Sequence, residues 1–144
     1  MDMTPQEYQQ YVKQNSPKSP IVKDTAIAFA VGGAICVIGQ LIMNGWVAAG
    51  LERVDASSAT SISLVFLSAL FTGLNLYNSL ARFAGAGTLV PITGFANSVV
   101  SPAIDFKSEG FVTGMAAKMF TVAGPVIVFG TLASAVYGVV LMLL

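Results

Sequence analysis

Histidine is absent from all 144 residues, cysteine occurs once, and charge is scarce, with seven basic and seven acidic side chains. Without histidine there is no histidine-based triad and no histidine metal ligand. The single thiol, Cys36, excludes an internal disulfide. A formal net charge of zero supplies no basic patch for nucleic acid. Glu52 and Asp55 stand three residues apart, but a lone loop pair is more often solvated than catalytic. Phe83-Ala84-Gly85-Ala86-Gly87 is glycine-rich, yet it lacks the phosphate-loop pattern and its lysine. Catalysis, metal binding and cofactor binding have almost nothing to work with, and no enzyme is expected.

What is plentiful is apolar surface. Hydrophobic residues make up 55% of the chain and the mean hydropathy is +0.76. Soluble domains carry about a quarter charged residues; here the figure is 10%. The positions of those charges point to the solvent. Asp2, Glu7, Lys13, Lys18, Lys23 and Asp24 crowd the start, and residues 25–51 then carry none. Further charge-free stretches cover 56–81, 83–104 and 119–144. A helix needs about 20 apolar residues to cross the hydrocarbon core, and each unpaired charge buried there costs at least about 2.5 kcal/mol. The pattern predicts an all-α, polytopic membrane helix bundle in a lipid bilayer, with three to four spans.

Residues 1–24 read as a polar cytoplasmic leader and 25–144 as the membrane domain. Thr4-Pro5-Gln6-Glu7 predicts a short capped helix, and Ser16-Pro17-Lys18-Ser19-Pro20 an extended exit from it. The leader is long, mixed in charge and proline-interrupted, unlike a cleaved secretory signal. Lys13, Lys18 and Lys23 precede the first span and only Arg53 follows it, which places the N-terminus in the cytoplasm. Spans are expected over about 25–45, 58–81 and 120–143. Between the last two, Gly85, Gly87, Pro91, Gly94 and Pro102 break up the apolar sequence. Non-helical backbone at membrane depth survives only when buried in protein or lining a cavity, and short Gly/Pro-broken segments point to solute sites. Residues 86–120 therefore read as a broken or re-entrant helical hairpin turning at Asp105–Gly110, the alternative being an ordinary kinked span. The side of the C-terminus stays open.

Ser61, Ser68, Asn75 and Arg82 recur every seven residues in the second span, with Thr72, Ser79 and Asn78 beside them. Lipid cannot hydrogen-bond such groups, so the stripe must face protein or water. A hydrophilic pathway and interhelical glue are equally compatible with it. Ala28, Gly32, Cys36 and Gln40 repeat at four-residue spacing, as do Gly130, Ser134 and Gly138. Small residues so spaced favour close helix packing, and Gln40 adds an amide for solute contact. Lys118 follows the hairpin and, like Arg82, has two readings: attraction of an anion, or snorkelling and local ion pairing. Asn75, Asn78, Arg82, Asn97, Lys118 and Gln40 are the candidate pore-lining or solute-contact residues. Gly85, Gly87, Pro91 and Gly94 are the candidate hinges.

Several strings resemble the SpoVA membrane subunits of spore-forming bacteria. Val31-Gly32-Gly33-Ala34-Ile35-Cys36-Val37-Ile38-Gly39-Gln40 is similar to their first-span signature. Arg82 through Gly87, Val90 through Ser98, Asp105 through Gly110 and Val126 through Gly130 extend the resemblance, which covers about residues 16–144. It implies an oligomeric channel in the forespore and spore inner membrane. Such a channel moves dipicolinic acid, stored as its calcium chelate, inward during sporulation and outward during germination, and opens under membrane tension. It further implies an AE-type membrane partner and a soluble AD-type partner. No catalytic residue, metal or cofactor comes with the resemblance. A non-conducting structural or assembly subunit of the same complex is the alternative, and an ion-coupled transporter ranks below both.

The lipid-solvent reading predicts that the purified chain stays folded and dispersed only in detergent or bilayer. A folded monomer in plain buffer, seen by size-exclusion chromatography and circular dichroism, would overturn it.

Overall fold

The structure, a computed structural model, describes residues 4–16 and 20–143. The leader's Asp2, Pro17, Lys18 and Ser19 lie outside the described residues. Helix α1 spans Pro5–Asn15, α2 Ile21–Ala48, α3 Arg53–Gly73, α4 Leu76–Ala84, α5 Ala86–Leu89 and α6 Ile92–Asp105. A single turn at Lys107–Glu109 leads into a wide π-type turn, Phe111–Ala116, which continues as α7, Ala117–Leu143. The described residues contain no strand.

Helix α1 starts where the leader's capping residues stand. The Thr4 hydroxyl accepts from the Glu7 N–H at 3.4 Å, and the Glu7 carboxylate accepts from the Thr4 N–H at 2.9 Å and its hydroxyl at 2.8 Å. These two bonds, the backbone one foremost, hold the Glu7 carboxyl below its ordinary pKa. The helix buries nothing. The long helices α2, α3 and the Phe111–Leu143 rod follow the charge-free stretches, and each is long and apolar enough to cross a membrane. In lipid a helix is the only open-ended segment that satisfies its own backbone.

Helix α2 overruns the expected 25–45 at both ends and α3 starts at Arg53 rather than about 58; two further boundaries differ more deeply. The continuous helix expected over 58–81 is cut at Asn75, whose φ of 59° and ψ of 19° place it in the left-handed region. Asparagine tolerates that conformation better than most residues, and the turn starts α4 in a new direction. The hairpin's second arm and the last span, divided at residue 120 in the sequence reading, form one 33-residue rod.

The direction of α6 decides the topology. The Ser68 hydroxyl donates to the Thr93 carbonyl at 2.6 Å, and the Thr72 hydroxyl lies 2.8 Å from Asn97 Oδ1. Both pairs are 25 residues apart, so α3 and α6 run parallel; antiparallel helices would keep the sum of paired numbers constant instead. At 1.5 Å per residue, α6 begins beside Ser68 at about 22 Å from the start of α3. Residues 74–91 therefore turn back inside the bundle without reaching the far end. The α7 rod then runs opposite to α6, with the Lys118 ammonium 4.2 Å from the centre of the Phe106 ring. The start of α2, the end of α6 and the start of α7 share one end, and the 49–52 loop and the C-terminus share the other.

The core is inverted relative to a water-soluble protein. Among the described residues, every fully buried one is Gly, Ala, Ser, Thr or Tyr. Large apolar side chains point outward, Phe29 at 84% and Val90 at 87% exposure. Lipid removes the hydrophobic drive between helices, so they associate where small residues permit close approach. Gly87 is the clearest case: a Cβ there would strike the Ala28 carbonyl and stand 2.8 Å from the Ala28 Cα.

Two expectations follow. With Cys36→Ser as background, cysteines placed at Ser16 and at Leu143 should react with an impermeant maleimide from opposite faces of sealed vesicles; labelling from one face would refute the re-entrant path. Gly87→Val should destabilise the detergent-solubilised protein by about 1–3 kcal/mol, the usual range for overpacking, read as a lowered thermal midpoint. Gly33→Val, with open space around its Cβ, should change little.

Candidate solute-contact site

At the end shared by the α2 start and α4, an open cleft of about 470 Å³ is lined by Asp24, Thr25 and Ala28 of α2 and by residues 82–86. The left-handed turn at Asn75 directs α4 so that exposed Arg82, in its last turn, reaches this cleft. Gly85, at φ 51°, then turns the chain into α5. A solute entering here meets one cation, one carboxylate and the turning backbone at Gly85–Ala86.

Beneath the cleft lies a buried seam of hydroxyls. The Tyr77 hydroxyl bonds the Thr88 carbonyl at 2.9 Å and the Thr93 hydroxyl at 3.1 Å. Thr88 bonds the Gly85 carbonyl at 3.0 Å. Ser68 and Thr72 continue the seam along α3 to the Thr93 carbonyl and Asn97, and Thr72 also reaches the Ser68 carbonyl at 2.7 Å. Among the described residues no buried side-chain polar atom lacks a partner. Each such bond contributes about 0.6 kcal/mol on average in a membrane protein. The seam ties α5 and α6 to α3 and α4.

The six candidate contact residues do not converge. Arg82 lines the cleft. Asn75 and Asn78 are exposed at the break between α3 and α4, joined to each other at 3.0 Å. Asn97 is half-buried in the seam. Lys118 is half-buried against Phe106 at the α6–α7 turn, a cation–π contact. Gln40 lies exposed on α2, its amide donating to Asn44 Oδ1 at 2.9 Å. The seven-residue stripe is thus divided: Ser68 and Thr72 are sealed in the seam, whereas Asn75, Ser79 and Arg82 lie beyond the break and are exposed.

The hinge residues do gather. Gly87 faces Ala28 and Gly32, and a Cβ at Gly94 would strike the Thr88 carbonyl and lie 2.7 Å from that of Leu89. Pro91 stands between them at the head of α6, φ −65° and ψ 158°. Gly32 lies against α5, its Cβ position 3.3 Å from the Gly87 carbonyl. Cys36 is exposed, in a shallow groove with Gly87, Val90 and Pro91. Gly130 and Gly138 have no neighbour within 4 Å of a Cβ, and Ser134 is exposed, so their stripe packs on nothing among the described residues.

Tyr77, Thr88 and Thr93 escaped the sequence reading. Their signal was faint: a tyrosine just past a helix-breaking asparagine, and threonines on either side of the Val90-Pro91 turn.

Comparison with known proteins gives a consistent assignment. No solved structure matches the chain. Stage V sporulation protein AC of Bacillus subtilis (strain 168) is 45% identical over 134 residues, covering 92% of this chain and 89% of that protein. The polar leader and the Lys107–Gly110 turn likewise resemble the AC type more than its shorter AE relative. Residues 24–140 match the family described as SpoVAC/SpoVAEB sporulation membrane protein. With three helices suited to a bilayer and a small-residue core turned away from it, the chain is an integral membrane protein that belongs to the SpoVAC/SpoVAEB family of sporulation membrane proteins.

Proposed function

We propose that this chain is a channel subunit that moves dipicolinic acid, as the dianion or its calcium chelate, into the forespore during sporulation and out of the spore core during germination. Family membership supports the setting. The carrying observation is the re-entrant path of α5 and α6, which takes a Gly/Pro-broken backbone to membrane depth and back to the end where Arg82 lines a cleft. Such broken elements are found where solutes are handled. Lys23, Arg82, Lys107 and Lys118 gather at this end and Arg53 stands at the other, which supports a cytoplasmic N-terminus; the spore inner membrane is the site that the family's sporulation setting suggests.

The chain works as one of several copies or with AE-type and AD-type partners, because the buried polar side-chain atoms of the described residues are already paired within it and a pore for an aromatic dicarboxylate needs more helices than one copy offers. Selectivity arises at the mouth, where Arg82 attracts a dicarboxylate and Asp24 tolerates its calcium. Membrane tension is the proposed stimulus: a seam of small residues and single hydroxyl bonds separates at low cost. The second reading, a structural subunit that positions a pore made elsewhere, is favoured by one observation, the internal pairing of the Ser68 and Thr72 hydroxyls and of Asn97 Oδ1.

Reconstitution with the presumed partners should give dipicolinate efflux that falls severalfold with Arg82→Glu and less with Lys118→Glu. Flux that is unchanged by Arg82→Glu would remove the cleft from the path. Efflux that needs the partners but not this chain would establish the structural reading.

A further inference from the structure

Two features of the outer surface lack a counterpart among the described residues. The first is the Gln40–Asn44 pair. Gln40 sits near the middle of the charge-free stretch 25–51, exposed on a helix that faces lipid. Its one bond to Asn44 leaves the Gln40 carbonyl and the Asn44 amide hydrogens without a side-chain partner among the described residues. Hydrocarbon offers none. The second is α7. Beyond residue 124 every described side chain is exposed except at Gly138, which is half-buried. A nearly complete membrane-crossing helix therefore stands away from its own bundle, showing Gly130, Ser134 and Gly138 on one face.

The register of the bundle sets these features at one depth. A Cβ at Gly39 would lie 3.4 Å from a Leu64 methyl, Ser68 meets Thr93, and Phe106 meets Lys118. Counting 1.5 Å per residue, four residues rise from Leu64 to Ser68 and thirteen from Thr93 to Phe106, about 25 Å in all. Descending the same distance along α7 from Lys118 arrives at Ser134–Ala135. Ser134 thus lies level with Gln40, and Gly138 with Asn44, each to within a few residues. The two helices also run in the same direction.

We propose that α7 of one copy packs against the Gln40–Asn44 face of α2 in a second copy of this chain, head to tail. The Ser134 hydroxyl supplies the hydrogen bond that the amides lack, and Gly130 and Gly138 let the backbones close up. A second copy fits because one chain carries both halves at matching depth. The two surfaces differ, so the contact repeats from copy to copy and closes into a ring if the rotation permits. This deepens the channel reading by naming the neighbour that a pore requires, but its test involves no solute and so fails or succeeds separately from flux.

Two differently tagged chains, both Cys36→Ser, one Gln40→Cys and the other Ser134→Cys, are co-expressed and oxidised in native membranes. A mixed-tag disulfide dimer is expected, and each variant expressed alone should give little. Asn44→Cys with Gly138→Cys should crosslink equally, which guards against a local defect at one pair. The double variant in one chain should produce a ladder of oligomers. Gln40→Cys dimers without mixed ones would mean a symmetric contact and overturn the proposal. Absence of both mixed dimers, rapid labelling of residue 40 by an aqueous reagent, or mixed dimers that appear only with another family subunit would overturn it as well.

Discussion

The bond from the Ser68 hydroxyl to the Thr93 carbonyl, 2.6 Å long and buried, fixes the arrangement on which the rest depends. It ties the first turn of α6 to α3 part-way along its length, and with the Thr72–Asn97 contact it sets the two helices parallel. That orientation makes 74–91 a re-entrant passage rather than a crossing, brings both ends of α5–α6 toward the cleft, and sends α7 toward the far side. Hydrocarbon gives the arrangement its force, because a carbonyl or hydroxyl at that depth has no water to fall back on.

The same solvent explains which residues occupy the core. In water, Leu, Val and Phe would be driven inward; here they gain little by leaving lipid, and the interior goes to whatever permits backbones to touch. Gly87 against Ala28 and Gly94 against Thr88 are contacts between main chains, with no side chain to act as a cushion. A seam of this kind holds through close approach and a few modest hydrogen bonds. It suits an element that must separate under load. The α7 rod, with none of these contacts beyond its first turns, belongs energetically to an assembly larger than one chain.

Much of the fold was legible from charge spacing. The first span, the Gly/Pro-broken region and the turn at Asp105–Gly110 all appear near their expected positions, whereas Asp55, expected in the polar loop with Glu52, lies in the first turn of α3. The candidate site was less so. Asn75 read as one member of a seven-residue stripe, whereas its left-handed backbone ends α3 and breaks the stripe. Asn97 and Lys118 read as groups offered to a solute, but one faces Thr72 and the other Phe106. Tyr77 drew no notice, because a lone tyrosine carries no periodicity, and its partners lie 11 and 16 residues away.

By itself the sequence determined the solvent, the helical class, the approximate spans and the absence of histidine-based chemistry. Transfer free energies add residue by residue along the chain, so a one-dimensional count of charges and apolar runs is enough to settle them. Only the tertiary structure decided which way α6 runs, which hydroxyls seal the seam and how much of α7 lies bare. Those depend on one backbone dihedral at Asn75 and on pairings across 25 residues, quantities that no local pattern encodes.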